Sequence, residues 1–175
     1  MLTKANKDKL MEIFFKNPEK KFYLRELERL TGISAPGLMK ITKKLEKEGL
    51  IESKKEARVK NFYATRTDKF ISLKRAHNIN SLFSSGLVDF LREKYQEPEA
   101  IVLFGSYSKG EDISTSDIDI AVISQKDFEP QLSKFEKILG RKINVMAINL
   151  KKAEPEFINS LANGIVLCGY LKVVK

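Results

Sequence analysis

The segment from Ile101 to Val122, IVLFGSYSKGEDISTSDIDIAV, constrains the fold of this 175-residue chain more than any other stretch. Two short apolar runs rich in β-branched residues enclose a polar spacer, which predicts two buried strands joined by a loop. Gly105 and Ser106 follow the first run, and Asp117 and Asp119 open the second. Because alternate residues of a strand point to the same face, we expect the two aspartates to project together.

This segment is compatible with three kinds of site, which its residues distinguish in part. A phosphate-binding ATPase loop has the spacing of Gly105 and Gly110 but then requires Lys and Ser/Thr, where this chain has Glu111 and Asp112. A metal site agrees better with the residues of this segment, because two carboxylates on one face can share two Mg²⁺ ions with substrate phosphates. The Gly-Ser turn adds backbone N–H groups for phosphate oxygens, so nucleotidyl transfer by a two-metal mechanism is predicted. A polar loop between structural strands is the third interpretation, and it stays open.

The Gly-Ser pair, its ten-residue spacer and the Asp-x-Asp sequence together resemble the motif of minimal nucleotidyltransferases of the DNA polymerase beta superfamily. The resemblance runs from about residue 82 to 171 and implies a small mixed sheet flanked by helices. It implies that Asp117 and Asp119 are catalytic and bind two Mg²⁺ ions. It further implies that Gly105 and Ser106 bind the phosphates of an NTP, with ATP as the expected substrate.

One position departs from this family. A third carboxylate usually lies on a later strand, and the corresponding position, in GRKINVMAINL, is Asn144. An amide offers a neutral carbonyl oxygen, which is a weaker ligand, and it cannot act as a base near neutral pH. Three hypotheses follow: an active nucleotidyltransferase, a domain that binds nucleotide without transferring it, and a structural body that dimerises or binds a partner.

The front of the chain is of a different kind. Residues 1–75 hold 20 Lys/Arg against 10 Asp/Glu, whereas residues 76–175 hold 12 against 13, so the net charge of +9 belongs to the front. Hydrophobic spacing predicts three helices and then a hairpin, with the third helix between Ser34 and Gly49. This order, with the segments LTGIS, LMKITKKLEKEGLIES and RVKNFYA, resembles archaeal and bacterial winged-helix regulators.

In such a winged helix-turn-helix domain, the third helix enters the major groove of double-stranded DNA. Leu38, Ile41 and Leu45 are expected to face inward and Thr42 outward. The candidate DNA-binding residues are Lys40, Lys43, Lys47, Arg58 and Lys60. Lysines supply salt-dependent, largely non-specific affinity for phosphates, and no base-reading residue is identified. A solvated helix face and a protein-binding winged helix are the alternatives.

The predicted fold class is therefore α/β (α+β), with a winged helix in residues 1–75 and a polymerase-beta-like nucleotidyltransferase domain in residues 76–175. The expected function is that of a DNA-binding nucleotidyltransferase acting on an unknown acceptor. The alternative is a winged-helix transcriptional regulator whose degenerate second domain only binds nucleotide or dimerises. The resemblance also implies a role as the antitoxin of a pair with a HEPN-type toxin, which some relatives modify by adenylylation.

The remaining expectations concern location and assembly. The chain has no run of 18 or more apolar residues and a single cysteine, Cys168, which favours a cytoplasmic protein without a membrane segment. A homodimer is expected, because many winged-helix regulators bind DNA as dimers.

Overall fold

The structure is a computed structural model, and it describes residues 4–56, 59–126 and 128–172. The chain divides into two compact units, Met1–Lys74 and Arg75–Lys175, called here the N-terminal and C-terminal units. Among the helices of the described ranges, none combines the length and apolar character needed to cross a membrane.

The N-terminal unit consists of helices and a small antiparallel sheet. Its elements are α1 (Lys4–Lys16), β1 (Phe22–Tyr23), α2 (Leu24–Thr31), α3 (Ala35–Lys47), β2 (Ile51–Glu56) and β3 (Val59–Ala64). The strand order is β1-β3-β2, and β2 pairs with β3 from Ile51 opposite Ala64 to Glu56 opposite Val59. The three helices and the hairpin thus lie where the hydrophobic spacing predicted them.

One expectation about α3 was wrong. Leu38, Ile41 and Leu45 are buried as expected, but Thr42 is buried as well rather than exposed. Its hydroxyl donates a hydrogen bond to the carbonyl oxygen of Met39, one turn earlier in the same helix. Because that bond satisfies the hydroxyl inside the helix, the methyl group of Thr42 can join the apolar face at little cost.

Helix α4 (Asp68–Ser85) contains the boundary between the two units. The other elements of the C-terminal unit are α5 (Leu87–Lys94), β4 (Ala100–Phe104), α6 (Gly105–Lys109), β5 (Ile118–Ile123), α7 (Ser133–Leu139), β6 (Ile143–Ile148), α8 (Pro155–Ala162) and β7 (Ile165–Gly169). The strand order is β6-β5-β4-β7, with β5 and β6 parallel and the other pairs antiparallel.

Both faces of this mixed sheet are covered, which explains why β4 and β5 are apolar at nearly every position. On one face, Ile101, Leu103 and Ile120 join residues of α5 and α7 in a buried cluster. On the other, Val102 and Ala121 pack with Leu161 of α8. The predicted fold class, α/β (α+β) with a small mixed sheet flanked by helices in the second unit, is confirmed.

Candidate active site

The candidate site lies at one end of the C-terminal sheet, where three strands place polar residues in a row. Phe104, the last residue of β4, pairs with Asp119 of β5, and Asp119 pairs with Asn144 of β6. Directly paired residues of neighbouring strands project to the same face, so the three side chains share one face. Asp117 lies two residues before Asp119 and therefore also belongs to that face.

The side chains of the two aspartates converge on a single nitrogen atom. The amide Nδ2 of Asn144 donates hydrogen bonds to Asp117 Oδ2, at 3.3 Å, and to Asp119 Oδ1, at 3.1 Å. The amide nitrogen is assigned to this side because ionised carboxylates only accept hydrogen bonds. The structure thus brings Asp117, Asp119 and the position of the expected third acid together, with an amide in place of that acid.

Gly105 lies against the side chain of Asp119. Its φ of +72° lies in the left-handed region, which side chains disfavour. A Cβ atom added at residue 105 would lie only 2.7 Å from Asp119 Oδ2, closer than two such atoms approach in proteins. Glycine therefore allows both the bend from β4 into α6 and the present position of the Asp119 carboxylate, which an added Cβ would displace. Ser106 follows in the first turn of α6 and is half-buried.

A buried polar cluster lies beside the site, and the sequence did not reveal it. Asp112, in the spacer of the motif, is 1% exposed, and Asn78 of α4 is 3% exposed. Asn78 Nδ2 donates to Asp112 Oδ1 at 2.8 Å, and Arg141 Nη2 lies 3.2 Å from Asp112 Oδ2. Burial, and after it the negative charge of Asp112, raises the pKa of the neighbouring Tyr107 hydroxyl to about 12. Tyr107 is therefore neutral at physiological pH and unsuited to act as a base.

The donor set of this site fits a divalent cation that is bound together with a substrate. The two converging carboxylates are oxygen ligands of the kind that Mg²⁺ prefers. In the described part of the chain, no group of three or more His, Cys, Asp and Glu side chains is arranged to hold a metal. The remaining ligands would therefore come from phosphate oxygens and water, as is usual for Mg²⁺.

Comparisons with known proteins show which proteins this region is similar to in sequence. Residues 87–170 match the family model described as "Polymerase beta, Nucleotidyltransferase". A Methanocaldococcus jannaschii protein named "Putative protein adenylyltransferase" is 40% identical over 63 residues, which cover 32% of this chain and 62% of that protein. The chain thus spans less than two thirds of the length of that relative. No solved structure matches the chain.

The family match contains the whole motif and all four strands of the C-terminal sheet. The C-terminal unit is accordingly similar to nucleotidyltransferases in both sequence and fold class, which supports a nucleotidyl-transfer function. A divalent metal and an NTP substrate agree with that family. The matched region begins at residue 87, so the N-terminal unit lies outside it.

The candidate DNA-binding residues lie in the N-terminal unit. Lys40, Lys43 and Lys47 are exposed on α3, Lys60 is exposed on β3, and Arg58 lies outside the described residues. Lys60 is partly engaged already, since its Nζ lies 3.6 Å from a carboxylate oxygen of Glu46 and 5.1 Å from the ring centre of Phe62. A phosphate would have to compete with that carboxylate, which makes the α3 lysines the better candidates.

Proposed function

We propose that this protein transfers a nucleoside monophosphate from an NTP to a hydroxyl group of an acceptor. The observation that carries the proposal is the convergence of Asp117 and Asp119 on one point beside Gly105, inside the region that matches the nucleotidyltransferase family. The name of the M. jannaschii relative suggests ATP as the nucleotide and a protein as the acceptor.

In this proposal, the carboxylates of Asp117 and Asp119 would hold two Mg²⁺ ions together with the triphosphate of the NTP. When bound, such a pair of ions lowers the pKa of the attacking hydroxyl and stabilises the charge that develops on the phosphate oxygens. Gly105 lets the backbone approach the phosphates closely, and Ser106 adds a hydroxyl donor. The acceptor oxygen forms a bond to the α-phosphorus while the bond to the departing pyrophosphate breaks. Because Asn144 cannot accept a proton, the proton leaves to water or to a substrate oxygen.

The test is Mg²⁺-dependent nucleotide binding and transfer by the full chain. We expect the double variant Asp117→Ala/Asp119→Ala to lose Mg²⁺-dependent binding of ATP. Glu111→Ala, which removes an exposed acid from the same motif, should retain it and serves as the control. Transfer is followed with ATP labelled at the α- or the γ-phosphate and with proteins of the source cell as acceptors. Only the α-label should be incorporated. Binding that survives in the double variant would refute the site.

A second candidate function is a regulator that binds nucleotide without transferring it. Asn144 favours it, because the position of the usual third acid holds an amide that already donates to both aspartates. Mg²⁺-ATP binding without incorporation of the α-label, together with a gain of incorporation in Asn144→Asp, would identify this function.

We further propose that the N-terminal unit is a winged helix that binds double-stranded DNA through α3 and the β2–β3 hairpin. The support is the order of its elements, the exposed lysines of α3 and the excess of basic residues in the front of the chain. A homodimer and a HEPN-type toxin partner belong to the same proposal. Light scattering tests the dimer. Co-purification with a HEPN-type protein encoded next to this chain tests the partner.

A further inference from the structure

We propose that the buried carboxylate of Asp112 is a positioning residue, which fixes the spacer between Ser106 and Asp117 and so sets where the acidic pair stands. The inference rests on the proposed nucleotide site. Asp112 lies inside the motif, yet its side chain is 1% exposed and therefore does not face a substrate. Its role has to act through the residues that it touches.

The first of these contacts ties Asp112 to the start of the spacer. Asn78 Nδ2 donates to Asp112 Oδ1 at 2.8 Å and to the carbonyl oxygen of Tyr107 at 3.0 Å. Tyr107 is the first residue of the spacer and follows Ser106 directly. One amide of α4 thereby links the buried carboxylate to the turn that is proposed to bind phosphate.

The second contact ties Asp112 to the end of the spacer. The guanidinium of Arg141 pairs through Nη2 with Asp112 Oδ2, at 3.2 Å. Its Nη1 donates to the carbonyl oxygen of Ile113 and to that of Ser116, the latter at 3.4 Å. Ser116 is the last residue of the spacer and precedes Asp117. The planar guanidinium makes these contacts from two nitrogen atoms, whereas a lysine carries all of its donors on one atom.

Arg141 also connects this cluster to the third site residue. The next residue, Lys142, accepts a hydrogen bond from Ile118 N through its carbonyl oxygen at 2.9 Å. Ile118 directly precedes Asp119, which pairs with Asn144 in the next position of the β5–β6 ladder. Asp112 and Arg141 therefore act on the two ends of the spacer and on the register of β5 with β6.

The burial of the Asp112–Arg141 pair determines what the pair contributes and what the loss of one partner would do. A buried ion pair carries a desolvation cost that an apolar pair of similar size avoids, so it contributes little to stability by itself. Removing one partner, in contrast, leaves a charge buried without its counter-ion. The contacts to backbone carbonyls at both ends of the spacer give this pair a geometric role that an apolar replacement could not fill.

The test variant is Asp112→Asn, which keeps the size and the acceptor facing Asn78 but places an amide against Arg141. Its matched control is Phe135→Leu, which removes part of a buried ring that packs on Phe90 in the same unit. We expect Asp112→Asn to weaken Mg²⁺-dependent ATP binding about 10- to 100-fold, as changes behind metal ligands do. At a temperature where both variants are fully folded, Phe135→Leu should bind like the wild type.

Hydrogen exchange supplies a readout that needs no nucleotide. The amides of Glu111, Ile113 and Ser116 are hydrogen-bonded within the motif segment. Their exchange should become faster in Asp112→Asn and stay unchanged in Phe135→Leu. Unchanged exchange in Asp112→Asn, or equal losses of binding in the two variants, would overturn the inference.

The role of Asp112 can still be tested in two further cases. If the wild type binds no nucleotide, the proposed function fails, and the exchange comparison alone decides the role of Asp112. If Asp112→Asn does not fold, Arg141→Lys takes its place, because it retains the charge and removes the fork that reaches the spacer carbonyls. The same faster exchange is then expected, and its absence would refute the role.

Discussion

Asn144 offers the sharpest test of the site, because its amide donates to both aspartates. In Asn144→Asp, an oxygen replaces the nitrogen that lies 3.1 Å and 3.3 Å from the two carboxylate oxygens. Two unit charges at about this distance repel by about 1 kcal/mol in water. Each of the two lost hydrogen bonds lowers the free energy of unfolding by about 1 kcal/mol more. Summed over both carboxylates, these effects come to about 4 kcal/mol; because the side chain is exposed and can rotate away, we expect about half of this, a loss of about 2 kcal/mol, without a cation.

The assay is thermal unfolding of the C-terminal unit with and without Mn²⁺. A loss of about 2 kcal/mol corresponds to a Tm roughly 8–10 °C lower for a unit of about 100 residues. Added Mn²⁺ should reverse this loss in Asn144→Asp, because the cation gains a third carboxylate and stabilises the folded state by binding. The wild type should respond less. Asn149→Asp, which adds the same charge just beyond the end of β6, is the control and should show neither effect.

Asn144→Ala separates two roles of the amide. If the amide nitrogen holds the carboxylates together, a cation has to break two hydrogen bonds before it can bind. For two exposed hydrogen bonds at about 0.5 kcal/mol each, removing the amide should then tighten the binding of free Mn²⁺ by roughly fivefold, equivalent to about 1 kcal/mol. Titration followed by electron paramagnetic resonance measures it. Weaker binding in Asn144→Ala would mean that the amide is a ligand, and it would refute the reasoning.

Two further predictions concern the bend beside the acids and the DNA-binding face. Gly105→Ala should lower the free energy of unfolding by at least about 1 kcal/mol and abolish Mg²⁺-ATP binding, because the new Cβ meets Asp119. Calorimetry measures the stability and fluorescence titration measures the binding. Unchanged binding would argue against a tight bend. Lys43→Gln/Lys47→Gln should reduce DNA affinity and make the slope of log K against log salt concentration less steep by about 2. The control Lys9→Gln/Lys16→Gln on α1 should change this slope less. Equal slopes for the two variants in gel shifts would exclude α3 as the contact face.

The motif was predictable from the sequence because each of its features is local. Glycine at a left-handed bend and acids at alternate strand positions follow from residue type and spacing alone. The placement of Asn144 was inferred from the family resemblance, and the parallel pairing with Asp119 gives it a geometric basis. The three helices and the hairpin of the N-terminal unit followed from hydrophobic periodicity. The two-residue strand β1 was not predicted, and neither was the burial of Thr42, whose hydroxyl is satisfied within its own helix.

The buried cluster around Asp112 was not predictable, because its members are far apart in the sequence. Asn78 stands in a segment that reads as a connector, and Arg141 stands just before a strand; both look like ordinary surface residues. From its place in the sequence, Asp112 indicates only that the segment is not an ATPase loop. Only the tertiary structure shows that these three polar residues satisfy one another away from water.

Charge balance indicates how the loss of the third acid affects binding and transfer separately. Two divalent cations and a fully ionised triphosphate neutralise each other, so Asp117 and Asp119 add negative charge to a complex that is already balanced. Replacing a third acid by Asn144 therefore weakens the affinity for free cations more than the affinity for a cation–nucleotide complex. Transfer depends in addition on a proton acceptor, which an amide cannot be. In Asn144→Asp, the rate of incorporation of the α-label should consequently rise by a larger factor than the affinity for Mg²⁺-ATP, and equal factors would show that position 144 acts on binding alone.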